Sequence, residues 1–413
     1  MTDIVLKNVR VLDVDIEAEP VLQDILIKDD RIIEMGKALS APGDVEVIDG
    51  GGRFALPGLI DCHVHPFLAE TNLAKLSEVP PTLMTARAVN ILRDMLHRGF
   101  TTIRDATGAD WGIKKAVSDG EVEGPRMFIA CRALTQTGGH GDFRSLTDDD
   151  YAPCKCGHAL AYTSLIADGE DEVRKAVREQ LRQGADQIKI MVSGGVSSPH
   201  DPLECDQYSA QEIRVIVDEA RKRGTYVMAH AYGASAIKMA LENGVRTIEH
   251  GNLIDAEAAE LAAEKGAFLV PTLITYDVLS RTAADSGWTN DMLGKLDRVR
   301  AAGLNAIELC RQAGVKIGFG TDLLGDSFGH QSEEFLIRAA IETPREIIRS
   351  ATKINAEILQ KSDELGVLKP GAFADILILD GNPFEDLSVL QDQGAQMPVI
   401  MKGGEIAKNT LVR

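Results

Sequence analysis

Residues 58–66 read GLIDCHVHP, and their two histidines stand two apart at the end of an apolar run, behind Pro57-Gly58. In a strand, side chains at i and i+2 project to the same face, so His63 and His65 can share one space. Imidazole is the commonest metal ligand, and a shared space invites a metal. The spacing alone is short and unspecific. It gains weight from other apolar, β-rich runs that stop at a ligand-type residue. Lys189 lies in QIKIMVSGG, His230 in VMAHAYG, His250 in TIEHGN and Asp322 in IGFGTDLLG. Lys189 is the odd member, because divalent cations repel an ammonium. Either the lysine points away and pairs elsewhere, or its amine has reacted with carbon dioxide. The resulting carbamate is an anion whose two oxygens can bridge two metals. Burial and nearby cations lower a lysine pKa toward that chemistry.

Elements must bring these residues together. Residues 54–61, 100–104, 127–131, 187–192, 225–229, 245–249, 267–271 and 315–320 read as buried strands. Helical patterns at 82–98, 171–183, 209–223, 233–243, 255–265, 291–313 and 332–349 follow most of them. Strands alternating with helices over about 300 residues predict an α/β fold, a distorted (β/α)8 TIM barrel. The candidate ligands then stand at C-terminal strand ends, the face that carries active sites in such barrels. A doubly wound open sheet is the rival, and no G-x-G-x-x-G follows any strand to support it. Both chain ends read as short strands, at 4–13, 24–33 and 45–48 and again in ADILILDGNP and PVIMKGGEIAK. The expected organisation is a small composite β-sandwich from residues 1–55 and 366–413 around a barrel at 56–365.

The bulk numbers fit an enzyme of that size. A chain of 413 residues is longer than the usual single compact domain. A net charge of -19 and a pI near 4.9 argue against binding to a nucleic-acid backbone, which needs a basic face. No apolar run reaches the roughly 18 residues of a membrane span. The start, MTDIVLKNVRVLDVD, alternates like a strand and lacks the basic region and apolar core of a signal peptide. A cytoplasmic protein with neither nucleic-acid nor membrane partners is expected. Six cysteines make no disulfide framework. Cys154 and Cys156 flank Lys155 near His158, but a closed zinc site needs four ligands, so they read as reduced loop thiols.

PGLIDCHVHP, QIKIMVSGG, VMAHAYG, TIEHGNLID and GFGTDLLG together resemble the amidohydrolase superfamily, along nearly the whole chain. TTIRDA, TQTGGHGD, GADQIKIMVSGGVSSP and AHAYG are similar to the imidazolonepropionase-related branch. That branch contains Xaa-Pro dipeptidases and carboxypeptidases for C-terminal arginine or lysine. The resemblance implies two divalent metal ions, of which zinc is the expected kind. His63, His65 and Asp322 would hold one, His230 and His250 the other, and Lys189, carboxylated by carbon dioxide, would bridge them. Cys62 and Val64 would face away into the packing. Asp322 is the expected proton shuttle, taking a proton from the attacking water and passing it to the departing amine.

Groups for the substrate are expected at His140, from a glycine-rich loop, and at Tyr232, two residues beyond His230. A phenol there can bind a carboxylate or an oxyanion. Gly194 and Gly195 suit either a tight turn or a close approach of backbone to ligand. For Arg104 and Asp105 an internal ion pair is expected, and His97, His158, His200 and His330 are unassigned surface residues. The expected substrate is a small molecule, a dipeptide or N-acyl amino acid with Xaa-Pro preferred, and the expected assembly is a homo-oligomer. Xaa-Arg or Xaa-Lys carboxypeptidase activity and hydrolysis of ochratoxin-like amides are the nearest alternatives. A deaminase and a catalytically silent scaffold are the distant ones. Related deaminases often carry a glutamate three residues after the fifth-strand histidine, where this chain has Gly233, and a silent chain would be expected to lose ligands.

Overall fold

The computed structural model describes residues 3–40, 43, 45–144, 163–198, 201–285 and 287–411. Cys154, Cys156, His158 and His200 lie outside them. Eight short parallel strands make the barrel wall: Leu59–Val64, Phe100–Asp105, Arg126–Ile129, Ile188–Met191, Val227–Gly233, Thr247–Leu253, Phe268–Val270 and Lys316–Ile317. The first three pair with one another, and the other five form a second run with two extra strands, Ala133–Thr135 and Ser164–Ile166. Backbone bonds join the runs, from Asp186 N to Ile129 O (2.8 Å) and from Cys62 N to Phe319 O (2.9 Å). The sequence expectation placed the first barrel strand at 54–61. The chain divides it at Gly58, where a Cβ would stand 2.0 Å from the Thr101 hydroxyl. Phe54–Pro57 leaves the barrel and pairs antiparallel with Ile376–Leu379.

That pairing is where the two chain ends meet. One eight-stranded sheet runs Glu405–Asn409, Val399–Lys402, Ile376–Leu379, Phe54–Pro57, Ile4–Val11, Leu22–Lys28, Arg31–Gly36, with Glu46–Asp49 beside Ile4–Val11. The run expected as one strand at 24–33 is a hairpin, turned at Asp29 with φ 53°. Alternation in Ile376–Leu379 explains how the sheet joins the barrel. Ile376 and Ile378 enter a cluster with Ile4, Leu6, Ile25 and Ile27. Leu377 and Leu379 face the other way, packing with Phe100, Phe319 and Phe335 under the barrel. A strand buried on both faces reads as a continuous apolar run, as this one does.

The helix Ala210–Lys222 starts with a capping box, Ser209 and Glu212 each satisfying the other's backbone N–H. Its apolar stripe, Ile213, Ile216, Val217 and Ala220, covers the fourth and fifth barrel strands. The expected helix at 332–349 is two, Glu333–Arg338 and Pro344–Arg349, broken before Pro344. Among the helices not anticipated are Trp111–Ser118 and Leu273–Thr282.

Candidate active site

At the C-terminal mouth of the barrel one pocket is lined by His63, His65, Lys189, His230, His250 and Asp322, with His140 and Tyr232 among its other walls. Strand ends place them. His63 stands one residue before the end of the first strand, with its ring 5.1 Å from that of His65 and 4.9 Å from that of His250. His230 pairs in register with Met191 and stacks its ring 4.3 Å from His140. His250 (φ 73°), within Thr247–Leu253, and Asp322 (φ 52°), five residues beyond Lys316–Ile317, adopt left-handed backbone, which costs of order 1–3 kcal/mol in a non-glycine residue. Asp322 Oδ1 lies 3.1 Å from His65 Nε2 and 3.5 Å from His63 Nε2, and Oδ2 lies 3.9 Å from His250 Nδ1. Asp61 holds this corner together. Its carboxylate accepts from the Thr321 hydroxyl (2.6 Å), the Gln331 amide (2.9 Å) and His63 N (3.1 Å).

Burial sets the charge states. It drives His63, His230 and His250 well below the ordinary imidazole pKa, so their rings are neutral with a lone pair to give. Burial alone would raise Asp322, but His63, His65 and Lys189 outweigh it and hold the carboxyl below its usual range. The Lys189 amine falls to about 8, chiefly through burial, against the opposing pull of Glu249 and Asp322. At pH 7 such an amine is about one-tenth neutral, against well under one in a thousand for an ordinary lysine.

Outer partners fix each ring. His63 Nδ1 meets Glu249 Oε2 at 2.7 Å, His65 Nδ1 meets Thr107 O at 3.2 Å, and His250 Nδ1 meets Thr272 Oγ1 at 2.8 Å. His230 Nε2 meets Gly194 O at 3.1 Å. The second nitrogen of His63, His230 and His250 has no hydrogen-bond partner among the described residues, while His65 Nε2 lies 3.1 Å from Asp322 Oδ1. The donor atoms of His63, His250 and Asp322 all fall within 4.8 Å of one another, close enough to share one ion. Neutral imidazoles oriented from behind and an ionised carboxylate in front are a donor set that fits a divalent metal.

The sequence profile of the amidohydrolase family matches residues 54–406. The chain belongs to that family. Ochratoxinase of Aspergillus niger is 33% identical over 365 residues, 86% of this chain and 75% of that one. A crystal structure of an amidohydrolase superposes with a TM-score of 0.96 at 49% identity, covering 100% of both chains. A prolidase crystallised with N-methylphosphonate-L-proline gives 0.95 at 46%, covering 99% of this chain and 100% of that one. This amidohydrolase is thus an enzyme, a hydrolase of a metal-dependent family that acts on small molecules.

Other expected residues fall as follows. Cys62 and Val64 are buried in the packing, away from the pocket. Gly195 lies flat against His140, whose ring a Cβ would meet at 2.0 Å, so backbone supports a side chain here rather than a ligand. His140 Nδ1 is 3.2 Å from Ser198 Oγ and 3.7 Å from Asp201. Arg104 has its internal ion pair, with Glu249 across the barrel at 2.9 Å. Asp105 has none among the described residues. It accepts from Ala109 N (3.2 Å), and burial lifts its carboxyl to about 7. His97 and His330 are surface residues paired with Glu123 and Glu333.

Among the residues of the site that escaped the sequence reading are Glu249, Thr272 and Tyr276. Glu249 precedes a candidate ligand in TIEHG, and strict strand alternation turns it away from that neighbour toward the barrel interior. There it meets His63 and Arg104. Tyr276, whose hydroxyl is 3.0 Å from that of Tyr232, sits on the unanticipated helix Leu273–Thr282.

Proposed function

We propose that this amidohydrolase cleaves the amide bond to a C-terminal proline, as an Xaa-Pro dipeptidase or N-acyl-proline hydrolase. The observation that carries the choice is the pocket's charge. Among the described residues, Asp322 is the only carboxylate on its wall, whereas His140, Tyr232 and Tyr276 offer neutral polar groups. A basic substrate side chain would find no separate counter-charge there, which speaks against Xaa-Arg and Xaa-Lys. A small apolar ring suits walls built from Met191, Val196, Leu279 and Leu324. Likeness to the prolidase holding a proline phosphonate supports the same choice. Likeness to ochratoxinase favours a second reading, an N-acyl amino acid with a bulky acyl group, which Leu68, Leu73 and Phe143 could face.

His63, His65 and Asp322 would hold one metal and His230 and His250 another, with Lys189 as a carbamate between them and zinc the expected ion. Bound there, metals supply Lewis acidity for the scissile carbonyl and an activated water at neutral pH. The chain's own residues do the rest. Asp322, ionised and partly buried, takes the proton of the attacking water and returns it to the amine nitrogen as the C–N bond breaks. Tyr232 donates a hydrogen bond to the substrate carboxylate or the developing oxyanion. His140, stacked on His230 and braced by Gly195, contacts the substrate from the glycine-rich loop. The apolar walls exclude bulk water and strengthen these interactions.

The test is amino-acid release from matched dipeptides and N-acetyl amino acids that vary only the C-terminal residue, with zinc and bicarbonate present. Proline is expected to exceed arginine, lysine and phenylalanine in kcat/KM by at least ten-fold. A preference for arginine or lysine overturns the assignment. A preference for N-acyl-phenylalanine over every dipeptide selects the second reading.

A further inference from the structure

Behind the pocket runs a line of buried hydroxyls whose hydrogen-bond polarity has one consistent solution. His250 Nδ1 meets Thr272 Oγ1 at 2.8 Å, Thr272 Oγ1 meets Tyr276 OH at 3.3 Å, and Tyr276 OH meets Tyr232 OH at 3.0 Å. Each of the four residues is at most 3% exposed. Every link has a single proton to place. If His250 lends Nε2 to a metal, its proton must sit on Nδ1, so Nδ1–H donates to Thr272. The threonine hydroxyl then donates to Tyr276, and Tyr276 donates to Tyr232. The Tyr232 proton has nowhere left to point but into the pocket.

We infer that Thr272 and Tyr276 are positioning residues that make Tyr232 an obligate hydrogen-bond donor to the substrate's anionic group, with the direction set from His250. Two further observations support the design. Thr272 occupies the N-cap position of the helix Leu273–Thr282 but makes no side-chain cap bond. That duty passes to Glu334, whose Oε2 accepts from Ile274 N at 2.7 Å, leaving the threonine hydroxyl to the chain. The Tyr232 ring also lies 28° from parallel to that of His250, centroids 5.4 Å apart, so its phenol end is held beside the ligand cluster.

The inference rests on the hydrolase reading above for its kinetic test, and a binding test separates the two. Wild type, Tyr232→Phe, Tyr276→Phe and the double variant are compared at saturating zinc. The readouts are metal content, kcat, KM and, by calorimetry, Kd for N-methylphosphonyl-proline, a tetrahedral mimic that is not turned over. Tyr276→Phe is expected to lose about ten-fold in kcat and in mimic affinity, the worth of one buried hydrogen bond. Metal content should change less than two-fold. The double variant should be no worse than Tyr232→Phe, and Thr272→Ser should retain what Thr272→Val loses. Additive losses in the double variant, or a Tyr276→Phe enzyme equal to wild type, overturn the inference while leaving the hydrolase reading intact. If wild type hydrolyses no amide yet the mimic shows the non-additive pattern, the hydrolase reading fails and the inference stands. A wild-type enzyme that neither turns over amides nor binds the mimic overturns both.

Discussion

At the scale of single residues, charge decides what each substitution should do. Lys189→Ala removes the only lysine of the pocket wall among the described residues, and with it the proposed bridge. It is expected to fold, since alanine leaves no buried charge, but to lose metal and at least 1,000-fold in kcat. Metal analysis beside circular dichroism checks this, and a fully active variant would sink the bridging role. Asp322→Asn keeps shape and loses basicity, so kcat should fall by roughly 100- to 10,000-fold, the range of general acid–base catalysis. Glu249→Gln probes a residue the sequence reading passed over. Its carboxylate holds both Arg104 and His63. Neutralising it strands a buried guanidinium, at a cost of about 3–5 kcal/mol. It should also weaken metal affinity some 10- to 100-fold. Chelator competition and thermal unfolding read the two effects separately. The proposed ligands were legible because each lies in or just beyond an apolar, strand-like run of sequence. Glu249 was not, because its partner Arg104 is 145 positions away across the barrel, and one-dimensional patterns carry no such pairing.

At the scale of elements, the helix Leu273–Thr282 shows why some of the site stayed hidden. LITYDVLSRT carries β-branched Ile274, Thr275, Val278 and Thr282, which lower helix propensity. Its cap comes from Glu334, about 60 residues downstream, rather than from a local signal. Tertiary packing therefore makes this helix, and with it the position of Tyr276. Glu334 also predicts a pH effect. Burial lifts its carboxyl from 4.5 to about 8. Between those values the unfolded chain gives up a proton that the folded chain keeps, so stability falls as pH rises, by a few kcal/mol in total. Glu334→Gln cannot ionise. Its Tm relative to wild type should be near parity at pH 4.5 and rise steadily to pH 8, and a constant difference would contradict the assignment. By contrast the helix Ala210–Lys222 was readable in full, since its capping box and apolar stripe are local.

At the scale of the whole molecule, the two ends of the chain share one sheet, and Leu377, Leu379 and Ile400 pack against Phe100, Phe319 and Phe335 beneath the barrel. The strand patterns at both ends were visible in the sequence, but their pairing rests on contacts more than 300 residues apart. A chain ending at residue 365 would expose that apolar floor and strip Phe54–Pro57 of one of its two partners. It should be insoluble or unfolded, and a soluble truncated chain with a native near-ultraviolet spectrum would show that the barrel stands alone. The same pairing imposes an order of events during synthesis. Pro57 pairs with Ile376, which leaves the ribosome 319 residues later. At about 5–20 residues per second, that wait is roughly 15 to 60 s. Through that interval an unpaired apolar edge is on offer to other nascent chains, so yield in a cell should depend on chaperone supply and translation speed as much as on the stability of the finished enzyme.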